Sequence, residues 1–534
     1  MLRENHCLPL RKQKLFAKSS ILNRKPIWIT SRARRDTISS MLPGIVQTAA
    51  AIYKDKTALE CVSGFTVSYQ DLDRVSDEVA GSLLRKGLRE GSLLLLSLPA
   101  SVEYLIAYIA ASKIGAITTG INPRLKSTER KSICEIAEPD LVIATTELLD
   151  GIPSDISVET VEISDNLEKL LSMMRVRSFK PEVLREDPNR PVCVCFTSGS
   201  TGTPKGALFT NNQLAAIQRM DTAGVWGTDG HIVPSTAFAH VGSMTKLPWQ
   251  LSLGVTLHIL ERWNASKILQ LTEKYRISAV AGVSAQIALL LKVNDFQNYD
   301  LSSVKAIVAG GGASPPSLVR RAKENFNAPY SIRYSSTESG GIGLATSLEA
   351  SEEESLYTIG KPRPGVQAKI LDENGHPVEK GEVGELYIKT PSSMDSYWHD
   401  SANTKKFLKD GWLRTQDLAR NDDQGFFRLA GRTNEMFIRG GYNVHPQEVE
   451  SVLSSHPKIE QMVLVPKLHP TLGEIGVAFI VPTSPEEILT LDELTDFGTD
   501  KIADYKMPTE IKIVDAIPLK NGFKIDRSVL KDLV

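Results

Sequence analysis

The 534 residues exceed what one hydrophobic core serves, since domains run to roughly 100–200 residues each. Apolar content of 41% and charge of 23% are those of a soluble globular chain and exclude a wholly disordered one. The net charge of −1 argues against nucleic-acid binding, and five cysteines with no CxxC pair argue against a disulfide framework or a zinc site.

Charge is uneven along the chain. Residues 1–40 hold ten Lys/Arg against two acids, which leaves 41–534 at a net −9. This basic, Ser-containing opening reads as a transit peptide, as a basic arm for a membrane or partner, or as sequence upstream of a true start at Met41. No compact apolar segment with a small-residue cleavage site marks a secretory signal, and no apolar run reaches the ~18 residues of a membrane span. A cytoplasmic location is expected, or a mitochondrial one if 1–40 is a transit peptide.

From Met41 the pattern is helical through Ile45 to Tyr53. Ser92 to Leu98 predicts a buried strand stopped by Pro99, and Ser101 to Lys113 a helix. Leu141–Thr145, Val192–Phe196, Ala279–Val283 and Ala306–Ala309 are further short apolar runs between turn signals, with helical stretches such as Ser266–Tyr275 between them. Cys193 and Cys195 would share one face of their strand as small core residues. The alternation predicts an α/β fold with largely parallel sheets. Over 365–430, short strands split by Asp/Asn/Gly turns predict an antiparallel β subdomain, and a tail with both helix and strand signals follows Arg432.

The segment Thr197-Ser198-Gly199-Ser200-Thr201-Gly202-Thr203-Pro204-Lys205-Gly206 follows a buried strand. Its glycines admit a phosphate close to the backbone, its hydroxyls donate to it, and Lys205 supplies charge. It is not a Walker A loop, because Thr203-Pro204 separates Gly202 from Lys205. Gly310-Gly311-Gly312 after the strand at 306–309 is a second tight turn, a structural bend or a ligand-facing one.

TSGSTGTPKG resembles the signature of the adenylate-forming superfamily of acyl-CoA synthetases, adenylation domains and beetle luciferases. The resemblance runs over residues 41–534, with the motifs in order. Thr66–Leu72 is similar to the first motif, and Lys113-Ile114-Gly115-Ala116 with Asn122-Pro123 to the second. It implies a large domain, 41–432, of two mainly parallel sheets with helices plus the small β subdomain. A mobile α+β C-terminal domain, 433–534, is implied to follow.

Residue by residue, the resemblance puts the 197–206 loop and Gly310–Gly312 on ATP. Tyr334-Ser335-Ser336-Thr337-Glu338 implies Tyr334 stacked on adenine, Thr337 on phosphate and Glu338 on Mg²⁺. Gly411–Asp417 implies Asp417 on the ribose, with Gln416 where Gly is usual. Gly431–Glu435 implies Arg432 on ribose or phosphates and Asn434 at the hinge, where relatives carry a charge. Gly440, Gly441 and Tyr442 would line the channel for CoA. Lys524, in Pro518–Arg527, would drive adenylation, with Phe523 replacing a Gly beside it.

Pro234–Ser243 is similar to the fourth motif and places His240 beside the substrate carboxylate. Ala239 follows Phe238 where amino-acid-activating relatives have Asp, which disfavours an α-amino acid. The segments 241–244, 281–284 and 339–343 read as a small, apolar acyl pocket for a fatty, aryl or alicyclic acid. The implied activity is ATP-dependent carboxylate–CoA ligation in a monomer or homodimer. Carrier-protein loading, luciferase-type oxidation and a non-catalytic nucleotide- or acyl-binding protein remain open, the last resting on the departures at Gln416, Asn434 and Phe523.

Overall fold

The computed structural model describes residues 41–534 apart from 198–202, 222–229, 434, 485, 488 and 521–523. The α/β class expected from the alternating pattern holds. Within residues 41–432 the parallel strands, expected in two sheets, fall into three hydrogen-bonded groups among the described residues. A seven-stranded sheet runs Ser396–Tyr397, Lys205–Thr210, Pro191–Thr197, Ile117–Gly120, Leu93–Ser97, Leu141–Ala144, Val158–Thr160, antiparallel only at its first two pairings. A second group places Ala279–Gly282, Ala306–Gly310 and Tyr330–Tyr334 in parallel. A third centres on Thr57–Cys61 parallel to Thr256–Ile259.

The helix Val102–Lys113 explains why two of these groups pack together. Ser101 caps it by accepting from the Tyr104 amide, and every residue of the helix is buried. Its sequence is accordingly mostly apolar around the whole helix, with Glu103 and Lys113 as buried charges. One core cluster joins Ile106 and Ile109 to Leu94 and Leu96 of the seven-stranded sheet and to Leu59 and Leu257 of the third group. Cys193 and Cys195 belong to that cluster, whereas Val194 and Phe196 face a second core on the opposite side of the sheet. The two-residue period of the strand is thus visible in its packing.

The helix ends on a buried cation. Lys113 Nζ donates to Asp73 Oδ1 and Asp77 Oδ1, both at 2.6 Å, and to the Asp73 carbonyl at 2.8 Å. The two acids lie one turn apart on the helix Tyr69–Arg85, whose N-cap is Ser68. The helix that follows the first motif is therefore tied to Lys113 of the second by this triad.

The expected antiparallel subdomain is present as Gln367–Leu371, Gly384–Lys389, Trp412–Asn421, Leu408–Lys409 and Phe427–Arg432. A further five-stranded sheet uses residues from Phe437 to Ile513 and carries the helices Pro446–Leu453 and Leu491–Gly498 on its own core. No described helix is long and apolar enough to cross a membrane.

Lys113→Met leaves buried Asp77 and half-buried Asp73 without their cation and is expected to lower unfolding stability by about 3 kcal/mol in urea titration. The triple change Lys113→Met, Asp73→Asn, Asp77→Asn is expected to recover part of that loss. Equal loss in both variants would show that shape, not charge pairing, matters there.

Candidate active site

The strands Pro191–Thr197 and Lys205–Thr210 are antiparallel, with Thr197 opposite Lys205. The Gly/Ser/Thr segment is the connection between them; Ser198, Gly199, Ser200, Thr201 and Gly202 lie outside the described residues. The Lys205 ammonium sits 4.6 Å from the Phe407 ring centre and 5.7 Å from that of Tyr397. These are cation–π distances. The Tyr397 hydroxyl in turn donates to Glu338 Oε1 at 2.9 Å. Burial and the Glu338 charge push the Tyr397 hydroxyl above its ordinary pKa, so it remains a donor.

Tyr397 reaches this place because Ser396–Tyr397 pairs with the edge of Lys205–Thr210. The Met394 amide also donates to the Glu338 carbonyl at 2.7 Å. Lys205 and Glu338 thus belong to one wall, with Tyr397 between them. Thr337 precedes Glu338, and its carbonyl accepts from the Gly340 amide at 2.9 Å. The sequence reading did not single out Tyr397; its one signal is the aromatic pair Tyr397-Trp398.

A second group forms where two sheets meet. Tyr334 ends the strand Tyr330–Tyr334, and its hydroxyl donates to Asp417 Oδ2 at 2.6 Å. Arg432 Nε donates to Asp417 Oδ1 at 2.8 Å. Asp417 and Arg432 are direct cross-strand partners, so their pairing follows from register. Burial, then the Asp417 charge, raises the Tyr334 hydroxyl well above its usual range, and the Asp417 charge raises Arg432. The residues expected on adenine and ribose are here bonded to each other, and the remaining lone pairs of Asp417 are what a ribose would meet. Nearby, Gly311 has φ +77°, and a side chain at Gly312 would meet nothing within 4 Å. That turn is open space beside the strand Ala306–Gly310.

Gln416 stands at φ +62°, in the left-handed region. The turn normally given to Gly is therefore kept, with its carbonyl accepting from the Thr433 amide at 3.0 Å.

On the third side, His240 occupies the N-cap position of the helix Val241–Met244. Asn122 Nδ2 lies 2.9 Å from His240 Nε2, while Asn122 Oδ1 accepts from the Arg124 amide at 3.0 Å. The second bond fixes which way the Asn122 amide points. Its NH₂ then donates to Nε2, which assigns the ring proton to Nδ1. The second and fourth motifs of the sequence thus meet at one hydrogen bond, which adds Asn122 to the candidate site.

Lys524 lies on the short strand Lys524–Ile525, paired with Leu519–Lys520. Asn434 and Phe523 lie outside the described residues. Gly440 and Gly441 make the two-residue turn between Phe437–Arg439 and Tyr442–Val444, at φ +59° and +89°. A turn with both central residues at positive φ is the kind that favours glycine. Tyr442 is 60% exposed and stacks on Tyr505, 4.7 Å between centres. The structure therefore gathers Lys205, Glu338 and Tyr397, then Tyr334, Asp417 and Arg432, then His240 with Asn122. Lys524 and the Gly440-Gly441 turn are carried on hairpins of the C-terminal part.

No group of three or more His, Cys, Asp or Glu suited to a metal occurs among the described residues. A lone carboxylate such as Glu338 fits Mg²⁺, which takes one or two protein carboxylates and completes its shell with water and phosphate oxygens.

Left-handed backbone costs a non-Gly residue about 1 kcal/mol. Gln416→Gly is expected to raise unfolding free energy by about that amount at unchanged m-value. A fall would show that the Gln416 side chain, not its backbone, determines the turn.

A profile described as "AMP-binding enzyme" matches residues 46–398, and one described as "AMP-binding enzyme C-terminal domain" matches 448–524. The indoleacetate–CoA ligase of Aromatoleum aromaticum is 28% identical over 483 residues, 88% of this chain and 93% of that protein. The medium-chain fatty-acid–CoA ligase of Escherichia coli is 26% identical over 507 residues, 91% of this chain and 88% of that protein. In fold, the ATP-bound MatB from Rhodopseudomonas palustris superposes with a TM-score of 0.82 at 22% identity, covering 93% of this chain and 99% of that one.

Proposed function

We propose that this chain, which belongs to the AMP-binding enzyme family, joins a carboxylic acid to the thiol of CoA in two ATP-dependent steps. The coincidence of three groups carries the reading: the Lys205–Tyr397–Glu338 wall, the Tyr334–Asp417–Arg432 group and the Asn122–His240 bond. Each supplies what one part of an acid-activating reaction needs. The relatives that match along most of the chain are CoA ligases, which supports CoA over a carrier protein as acceptor.

A carboxylate cannot acylate a thiol directly, since oxide would have to leave. Its oxygen instead attacks the α-phosphorus of ATP, forming the acyl adenylate and releasing pyrophosphate. Charge gathers on phosphoryl oxygens in that step, so positioning and electrostatics do most of the work. Asp417 and Arg432 hold the ribose, Tyr334 and Gly310–Gly312 flank the base, and the 197–206 loop with Lys205 and Thr337 holds the phosphates. Glu338 would hold Mg²⁺, which neutralises phosphate charge when bound. His240, held by Asn122, faces the carboxylate. Lys524 bridges carboxylate and phosphate.

In the second step the CoA thiolate attacks the acyl carbon and AMP leaves. Residues 433–534 act as the moving domain and 41–432 as the fixed one, with Asn434 as hinge. Rotation withdraws Lys524 and brings the Gly440-Gly441 turn and Tyr442 to the pantetheine. The acid is a fatty, aryl or alicyclic one, and the setting is cytoplasmic.

The test is a carboxylate panel with ATP, Mg²⁺ and CoA, reading pyrophosphate and thioester separately. Both products are expected in equal amount. Pyrophosphate without thioester would favour a carrier-protein acceptor, and neither product with any acid would overturn the reading. Lys524→Ala is expected to abolish adenylate formation, by 100-fold or more on the scale of about 3 kcal/mol, while sparing thioester formation from preformed adenylate. Equal loss in both half-reactions would contradict the role given to Lys524.

A further inference from the structure

Two opposite charges share one wall of the site, yet they do not pair. Lys205 and Glu338 are both half-buried, and among the described residues neither is in an ion pair. Tyr397 touches both and is itself only 6% exposed. Its ring and that of Phe407 lie 6.1 Å apart between centres, with their planes at 87°. The Lys205 ammonium rests against these two rings, while the Tyr397 hydroxyl donates to Glu338 Oε1. Asp400 follows in the same stretch but is occupied as a helix cap. It accepts from the Asn403 amide at 2.9 Å and from Asn403 Nδ2 at 2.6 Å.

Backbone contacts fix Tyr397 toward both charges. Ala207, two residues past Lys205, is its strand partner. The Asp395 amide donates to the Leu208 carbonyl at 2.8 Å and the Trp398 amide to the Gly206 carbonyl at 2.7 Å. The Tyr397 amide donates to Thr404 Oγ1 at 2.9 Å, in the helix that ends at Phe407. Toward Glu338, the Met394 amide reaches its carbonyl, and Ser392 Oγ donates to the Ser339 carbonyl at 2.9 Å. A Cβ at Gly340 would come within 2.4 Å of the Ser392 carbonyl oxygen, so the two segments are in close contact. The stretch 392–398 is thus bonded to both charged segments at once.

A cation held on ring faces keeps its N–H donors for an incoming anion. A carboxylate that accepts one hydrogen bond on Oε1 keeps its remaining lone pairs for a metal. A phenol meets both needs. Phenylalanine would seat the lysine without orienting the carboxylate, and histidine could ligate the metal itself.

We propose that Tyr397 is the positioning residue for both charges: its ring seats Lys205 for the phosphates, and its hydroxyl orients Glu338 for a divalent cation. The two jobs belong to different parts of one side chain and are separable by substitution. This rests on the reading that the chain uses ATP with Mg²⁺.

The test uses the full chain, with Mn²⁺ as a spectroscopically visible stand-in for Mg²⁺ and α,β-methylene-ATP as a nucleotide that cannot be cleaved at the α-phosphorus. Two constants are measured: the nucleotide Kd without metal, and the Mn²⁺ Kd at saturating nucleotide by electron paramagnetic resonance. Tyr397→Phe is expected to raise the Mn²⁺ Kd about tenfold, the scale of a lost hydrogen bond to a charged group, and to change the nucleotide Kd less than twofold. Tyr397→Leu is expected to raise both, the nucleotide Kd by about fivefold. A merely structural tyrosine would move both constants together. An unmoved Mn²⁺ Kd in Tyr397→Phe, or equal weakening of metal and nucleotide in that variant, would overturn the proposal while leaving the ligase reading intact. No binding of the nucleotide, with or without Mn²⁺, by the wild-type chain would overturn both.

Discussion

The Asp417 carboxylate is the constraint on which the arrangement depends. It takes the Tyr334 hydroxyl on one oxygen and the Arg432 guanidinium on the other. Tyr334 belongs to the parallel strands after residue 279, Asp417 and Arg432 to the antiparallel subdomain. One buried side chain therefore links two sheets and presents the groups proposed to hold the nucleoside. Gln416, immediately before it, accepts strained backbone and bonds to Thr433, where the C-terminal part begins. The groups proposed to hold the nucleoside are thus joined by one hydrogen bond to the residue before the proposed hinge.

Much of the architecture was legible in the sequence because it is local. The shared face of Cys193 and Cys195 and the helix running to Lys113 are read from neighbours in the chain. So is the antiparallel character after residue 365. Splitting of the parallel strands into three groups was not legible, since it depends on which edges pair across long separations. The motif residues Tyr334, Asp417 and Arg432 were legible as types in order, but not their mutual bonding. Tyr397 and Asn122 act through partners far away in sequence, and neither residue type announces itself.

The site is also divided in a physically sensible way. The part proposed to stay fixed holds the groups proposed to act in both steps: Glu338 held by Tyr397, His240 bonded to Asn122, Asp417 doubly bonded. Lys524 and the Gly440-Gly441 turn, proposed to act one after the other, lie on hairpins of the C-terminal part. A domain rotation could then exchange them without disturbing the nucleotide.

The central claim is that an acyl adenylate forms before any thiol is involved. The most direct measurement is isotope exchange between pyrophosphate and ATP in the absence of CoA. The account predicts label entering ATP only when an accepted carboxylic acid and Mg²⁺ are both present. Exchange that does not depend on the acid, or none until CoA is added, would contradict it.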